Sequence, residues 1–218
     1  VEPPKGDPAR HIQPFYNLLN HAKDIRRMTL PDELPELRKL VETADVLVEG
    51  FRPGVADRLG ISPKTVRKWN PRLIYCSISA FGQDGPRRLE PGHDLNLQAL
   101  SGACWLQPGG PRPDGLPVAD LSGAMSASGA ILAALYEREK TGNGATLDVS
   151  LGDAVVSWSH LWGVGIDMTA PLKGVPGTRR LRNRLDQAKL FLLPHYGLFR
   201  CRDGWIALGI VDENPFWR

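Results

Sequence analysis

An α/β chain with a doubly wound parallel sheet is predicted by three observations. Two short apolar runs, Asp45-Val46-Leu47-Val48-Glu49-Gly50 and Leu73-Ile74-Tyr75-Cys76-Ser77-Ile78-Ser79, have strand length and β-branched content. Each follows a segment of helical periodicity. A helix–strand–helix–strand order joins its strands by crossovers, which favours a parallel sheet.

The elements follow in order. Residues 1–20 contain Pro3, Pro4, Gly6, Pro8 and Pro14, which argue against long elements there. Over 32–43, Leu34, Leu37, Leu40 and Val41 share one helical face and feed the first strand. Ser62 and Pro63 stand as N-cap and first residue of a second helix, which Asn70-Pro71 stops ahead of the second strand. After Gly85-Pro86 a helix is expected over 93–104, then a Gly/Pro loop over 107–117. A long helix runs from about Asp120 to Lys140, capped by Asp120 or Ser122 and ended by Gly142. Its first half is built of small residues from Ser122 to Ala134, which let another backbone approach closely. A strand over 145–149, a helix over 152–162, a polar linker over 170–190 and a hairpin around Asp203-Gly204 complete the chain. The expected organisation is a large domain over 1–162, a crossing over 163–195 and the start of a smaller domain over 196–218.

The chain's 218 residues, 42% of them hydrophobic, can build a sizeable core. A net charge of +3 suits an anionic small ligand. No Lys/Arg block exceeds two residues, so nucleic acid is not an expected partner. Cys76, Cys104 and Cys201 form no CxxC pair, and the histidines have no metal-ligand spacing. The sparse cysteines and the absence of a continuous apolar run suit a cytoplasmic protein with no membrane partner. No GxGxxG follows a strand, which argues against a plain NAD domain. Both ends look cut: Val1 opens directly on Glu2-Pro3-Pro4, and the chain stops at Phe216-Trp217-Arg218.

Candidate chemistry is concentrated in a few residues. His93 follows Gly92 and opens a helix, where a neutral imidazole suits a base, although a His beside an Asp is commonly a structural pair. Asp94 has the bland role of a charge at a helix N-terminus. Asp120, by residue type and position, reads first as a helix cap. Arg52 lies in a turn after a strand, where open α/β sheets bind ligands, or is a solvated turn residue. Arg10 is a weaker candidate in the irregular N-terminal stretch, and Arg87 and Arg88 read as a solvated pair. Trp158 and Trp162 read as core or interface.

An ordered set of segments carries a family resemblance. These are Val1-Glu2-Pro3-Pro4-Lys5-Gly6-Asp7, Ala44 to Gly54, Arg72-Leu73-Ile74-Tyr75 and Gly82-Gln83-Asp84-Gly85-Pro86. Gly92-His93-Asp94-Leu95-Asn96, the Asp120 helix, Lys140-Thr141-Gly142-Asn143-Gly144 and Asp203-Gly204-Trp205-Ile206-Ala207 continue it. Each motif is weak, but the ordered set over nearly the whole chain resembles the family III CoA-transferases (CaiB/BaiF type), nearest in motifs to the 2-methylacyl-CoA racemases.

The resemblance implies a longer chain, with a first strand missing here, and an interlocked homodimer. It implies that Asp120 is the catalytic carboxylate and His93 the second base. It also implies coenzyme A as part of an acyl-CoA substrate, with no permanently bound cofactor and no metal. Arg52 and Arg10 are then the expected CoA contacts. Two mechanisms follow. In racemisation, two bases flank the α-carbon of a thioester, and amides at the start of the Asp120 helix could hold the enolate oxygen. In CoA transfer, Asp120 attacks the thioester and forms a mixed anhydride.

His93 tilts the reading toward a racemase. So does Arg180 to Gln187, which lacks the glycine run of oxalate-type transferases. The segment Leu192-Leu193-Pro194-His195-Tyr196-Gly197 departs from the racemase pattern. Asp94, Asp212 and Glu213 are the candidate carboxylates to support His93. A truncated, non-catalytic CoA-binding remnant is the alternative of a different class.

Overall fold

In a computed structural model, the structure describes residues 1–105, 115–163, 174–178, 180 and 196–209. The fold is α/β. Two compact units divide the chain: Val1–Glu90 with Met125–Val149, and Pro91–Ala124 with Ser150–Arg218. This division cuts across the sequence-ordered boundary expected at 162.

The first unit holds α1 (Gln13–Asn20), α2 (Leu34–Thr43), β1 (Val46–Glu49), α3 (Val55–Arg58), α4 (Pro63–Trp69) and β2 (Ile74–Ser79). It also holds β3 (Ala145–Ser150) up to Val149 and the larger part of α6 (Val118–Thr141). Strands lie in the order β1-β2-β3, and β1 pairs with β2 in parallel with Val46 opposite Ile74 and Glu49 opposite Ser77.

Side chains alternate across the sheet, so successive β2 residues serve opposite faces. Leu73 and Tyr75 join Leu37, Val41, Ile61 and Val66, the apolar stripes of α2 and α4 with the turn before α4. On the other parity, Cys76 joins Val149 of β3 and Ala127 of α6. Helices thus cover both faces, as a doubly wound sheet requires. Leu73, Tyr75, Cys76 and Val66 are fully buried.

Hydrogen bonds fix the crossovers. Asn70 Nδ2 donates to the Val41 and Ala44 carbonyls, both at 2.9 Å, closing the C-terminal end of α2 that Asn70 follows from α4. Arg138, buried on α6, donates from Nη2 to Asp45 Oδ1 at 2.8 Å and from Nη1 to the Arg72 carbonyl at 3.3 Å.

The N-terminal stretch is more regular than its prolines suggest. Pro8 and Pro14 fall in the first turns of a 3-10 helix (Pro8–His11) and of α1, where a missing N–H costs nothing. Glu2 bridges Arg27 in parallel, and its buried carboxylate receives Arg10 Nε at 2.9 Å, Arg10 Nη2 at 3.1 Å and the Tyr16 hydroxyl. Arg10, then Tyr16, hold the Glu2 carboxyl below its ordinary value of 4.5. A depressed carboxyl pKa stabilises the fold above the unfolded value and loses that contribution as pH falls through the folded one. Melting curves of the wild type should therefore drop as pH falls below 4.5, and Glu2→Gln should melt lower at pH 7 with a flatter acid limb. Equal acid limbs in the two proteins would contradict this role.

The second unit holds α5 (Asp94–Ser101), a 3-10 turn (Ala103–Trp105), the start of α6 and α7 (Leu151–Gly163). It also contains the antiparallel hairpin β4 (Tyr196–Arg200) and β5 (Trp205–Gly209), built around Asp203-Gly204 as expected. Leu97 and Val155 are fully buried there.

The long helix differs from expectation in two ways. It begins at Val118 rather than Asp120, because Leu121 N already donates to the Pro117 carbonyl at 2.9 Å. By length and composition it could also cross a membrane, contrary to the reading of the apolar runs. Its Ala and Gly raise the hydropathy without a continuous Leu/Ile/Val run, and Ala127 and Ile131 pack beside Leu147 and Val149 of β3.

Candidate active site

The site is built where α5 and α6 begin. Gly92 precedes His93, whose extended backbone (φ −123°, ψ 165°) makes it the N-cap of α5. Asn96 Oδ1 accepts from His93 N at 3.3 Å, which fixes the entry of the chain into the helix. Asp94, the next residue, reaches across to α6. Its Oδ1 accepts from Ala119 N at 2.8 Å and from Asp120 N at 3.2 Å. Its Oδ2 accepts from Gln98 Nε2 at 2.6 Å, and the same nitrogen donates to the Leu116 carbonyl at 3.2 Å.

Asp120 is therefore a residue of the first turn of α6 and not its cap. The physical reason lies just upstream. Leu116 and Pro117 have no side-chain acceptor, so the orphan amides of α6 are satisfied from α5 instead. Asp94 was expected beside His93; both of its oxygens are engaged with Ala119, Asp120 and Gln98, and no hydrogen bond joins it to His93 among the described residues.

Asp120 and His93 are both exposed at the surface. Protein surrounding the Asp120 carboxyl raises its pKa, and the Asp94 carboxylate raises it further. His93 acts in the opposite sense, so the three residues share one electrostatic neighbourhood. A carboxyl raised in this way is a better proton acceptor than an ordinary surface Asp.

The amides at the start of α6 were expected to hold an enolate oxygen, and the structure corrects this. Val118 N donates to Leu116 O, Ala119 and Asp120 N to Asp94, and Leu121 N to Pro117 O. All four are engaged. The α5 ladder leaves the amides of His93, Asp94, Leu95 and Asn96 without a carbonyl, and the capping box between His93 and Asn96 engages two of them, which leaves those of Asp94 and Leu95.

The cations stand in the first unit. Arg52 follows β1 in the turn Phe51-Arg52-Pro53-Gly54, and its guanidinium has no ion-pair or hydrogen-bond partner among the described residues. Gly54, at φ +84°, makes this turn in a conformation that favours glycine. Beside it, at the carboxyl end of β1, lies a cavity of about 550 Å³ lined by residues that include Leu30, Leu47, Glu49, Phe51 and Leu59. Arg10, the weaker candidate, is held by Glu2 and stacks over the Tyr16 ring at 4.3 Å. Asp212 and Glu213 lie outside the described residues. Among the described residues no group of His, Cys, Asp and Glu is arranged to hold a metal ion.

The family described as CoA-transferase family III matches residues 1–218. The chain belongs to that family. It is 40% identical over 172 residues to acetyl-CoA:oxalate CoA-transferase of Acetobacter aceti, covering 72% of this chain and 44% of that protein. It is 36% identical over 186 residues to the alpha-methylacyl-CoA racemase of Mus musculus, covering 82% of this chain and 46% of that protein. A crystal structure of Rv3272 from Mycobacterium tuberculosis superposes with a TM-score of 0.72 at 30% identity, covering 95% of this chain and 55% of that one. The chain thus spans about half the length of the family relatives it matches.

Proposed function

We propose that this family III chain carries the acid–base pair of an acyl-CoA enzyme that inverts the α-carbon of a 2-methylacyl-CoA thioester. The observation that carries this reading is the junction of the two helix starts. Asp94 ties α6 to α5, so that Asp120 stands in the same electrostatic neighbourhood as His93.

One of the two residues removes the α-proton. The electrons of the broken C–H bond move to the thioester oxygen, and an enolate forms. The other residue returns a proton to the opposite face, and the carbonyl re-forms. The enolate oxygen would be held by the first amides of α5, since those of α6 are occupied. Arg52 would hold a phosphate of CoA, with the neighbouring cavity receiving an apolar or aromatic part of the cofactor. No cofactor beyond the substrate's own CoA enters this chemistry.

A second reading is favoured by the 40% identity to an oxalate CoA-transferase. Asp120 would then attack the thioester carbonyl and release CoA as its thiolate. The CoA thiolate would then attack the Asp120 carbonyl of the resulting mixed anhydride, releasing the donor acid and leaving CoA as an Asp120 thioester. An acceptor carboxylate would attack that thioester to form a second anhydride, whose acyl group the released CoA thiolate would take, freeing Asp120.

The two readings separate in one experiment. The protein is incubated with a single enantiomer of a 2-methylacyl-CoA in deuterated water, with and without hydroxylamine. Deuterium at the α-carbon together with loss of optical purity is expected. A hydroxamate on Asp120 with no α-exchange would overturn the proposal in favour of transfer.

A further inference from the structure

The clamp between α5 and α6 has a feature that capping alone does not require. Helix N-termini are capped as well by neutral Asn or Ser as by Asp. Here the acceptor is a carboxylate supplied from another helix, and it lies close enough to Asp120 to act on its charge. The clamp is itself braced. Gln98 is 1% exposed, and its Nε2 holds Asp94 Oδ2 and the Leu116 carbonyl together, so the clamp also grips the chain just ahead of α6. Ala119, whose amide makes the shorter of the two clamp bonds, is fully buried. The first turn of α6 is therefore fixed to α5 at its amides, and the Asp120 side chain leaves from that fixed turn.

We propose that Asp94 is a positioning residue that acts through Asp120: it fixes the turn that carries the Asp120 carboxyl and sets the charge that carboxyl faces, rather than orienting His93. The role rests on the reading of Asp120 as the working carboxylate. Among the described residues, the charged groups that act on Asp120 are Asp94 and His93, both from the start of α5. Asp94 disfavours ionisation of Asp120 by like-charge repulsion. Removing that charge makes Asp120 a stronger acid. It would then ionise at lower pH and be a weaker base.

The test compares Asp94→Asn with Asp94→Ala in the full protein. The Asp120 carboxyl is followed by carbon-13 NMR against pH, which needs no turnover. Asp94→Asn keeps an oxygen for the two amides and loses the charge. It should melt somewhat below the wild type, because the Asn NH2 cannot accept from Gln98 Nε2, while the Asp120 titration moves down. Asp94→Ala loses the acceptor as well, and kcat should fall about a hundredfold with little change in KM.

The acid limb of the kcat/KM profile should follow the NMR titration in Asp94→Asn. An unchanged Asp120 titration in Asp94→Asn would overturn the proposal, whatever the activity. If the titration moves but no acyl-CoA is turned over by the wild type, the clamp stands and the functional reading falls.

Discussion

Replacing Asp120 by Asn should lower kcat/KM for the acyl-CoA substrate by roughly 10²–10⁴-fold, the usual contribution of a general acid–base group. The fold should survive this change. Asp120 is exposed, its backbone amide rather than its side chain is tied into the clamp, and its raised pKa means that ionising it opposes folding. A carboxyl whose folded pKa is raised contributes stability below its unfolded value and loses it as pH rises through the folded one. Asp120→Asn should therefore melt at or slightly above the wild type at pH 7. Steady-state kinetics and melting curves read the two effects separately. A stable variant with undiminished turnover would remove Asp120 from the chemistry.

The largest expected loss of stability comes from Gly144, at the entry to β3. Its amide donates to the Pro71 carbonyl at 2.8 Å, which draws the two chain segments together. A Cβ there would collide with the Leu73 carbonyl oxygen and lie 2.7 Å from the Arg72 carbonyl carbon. Both are backbone atoms, and Leu73 is fully buried at the centre of the sheet, so neither can move aside cheaply. Gly144→Ala should destabilise by about 3 kcal/mol, a fall of roughly 6–12 °C in melting temperature. Gly129 of α6 is the control: nothing lies within 4 Å of its added Cβ. There Ala should stabilise by about 0.5–1 kcal/mol, since a helix interior favours Ala over Gly. Equal melting temperatures for the two variants would show that the close approach at Gly144 is not maintained in solution.

The sheet was legible because its signals are local. β1 and β2 are short apolar runs bounded by Gly50 and by Asn70-Pro71, and α2 and α4 carry apolar stripes at helical spacing that end in the same core. The hairpin was legible from Asp203-Gly204. The helix α1 was missed for a specific reason. Pro14 was read as a breaker, whereas at the first turn of a helix its absent N–H breaks no bond.

The site was only half legible. No periodicity places His93 near Asp120; the family resemblance suggested the pair, and the Asp94 clamp shows how two helix starts come to meet. That clamp links residues 94 and 119, and no local pattern marks which distant amide a carboxylate will take. The missing cap was visible, since Leu116-Pro117-Val118 offers none, and that gap was the available signal. The structural partner of Arg10 was hidden for a related reason. That partner, Glu2, lies in the N-terminal bridge, outside any pattern that spacing could reveal.

The most direct measurement is enantiomer-resolved α-deuterium exchange, using the wild type, His93→Ala and Asp120→Ala with each enantiomer of a 2-methylacyl-CoA. Two bases on opposite faces require that the wild type exchange both enantiomers, and that each variant lose interconversion while its remaining base still exchanges the enantiomer it faces. Exchange of both enantiomers at the wild-type rate in either variant would contradict the pairing of His93 with Asp120.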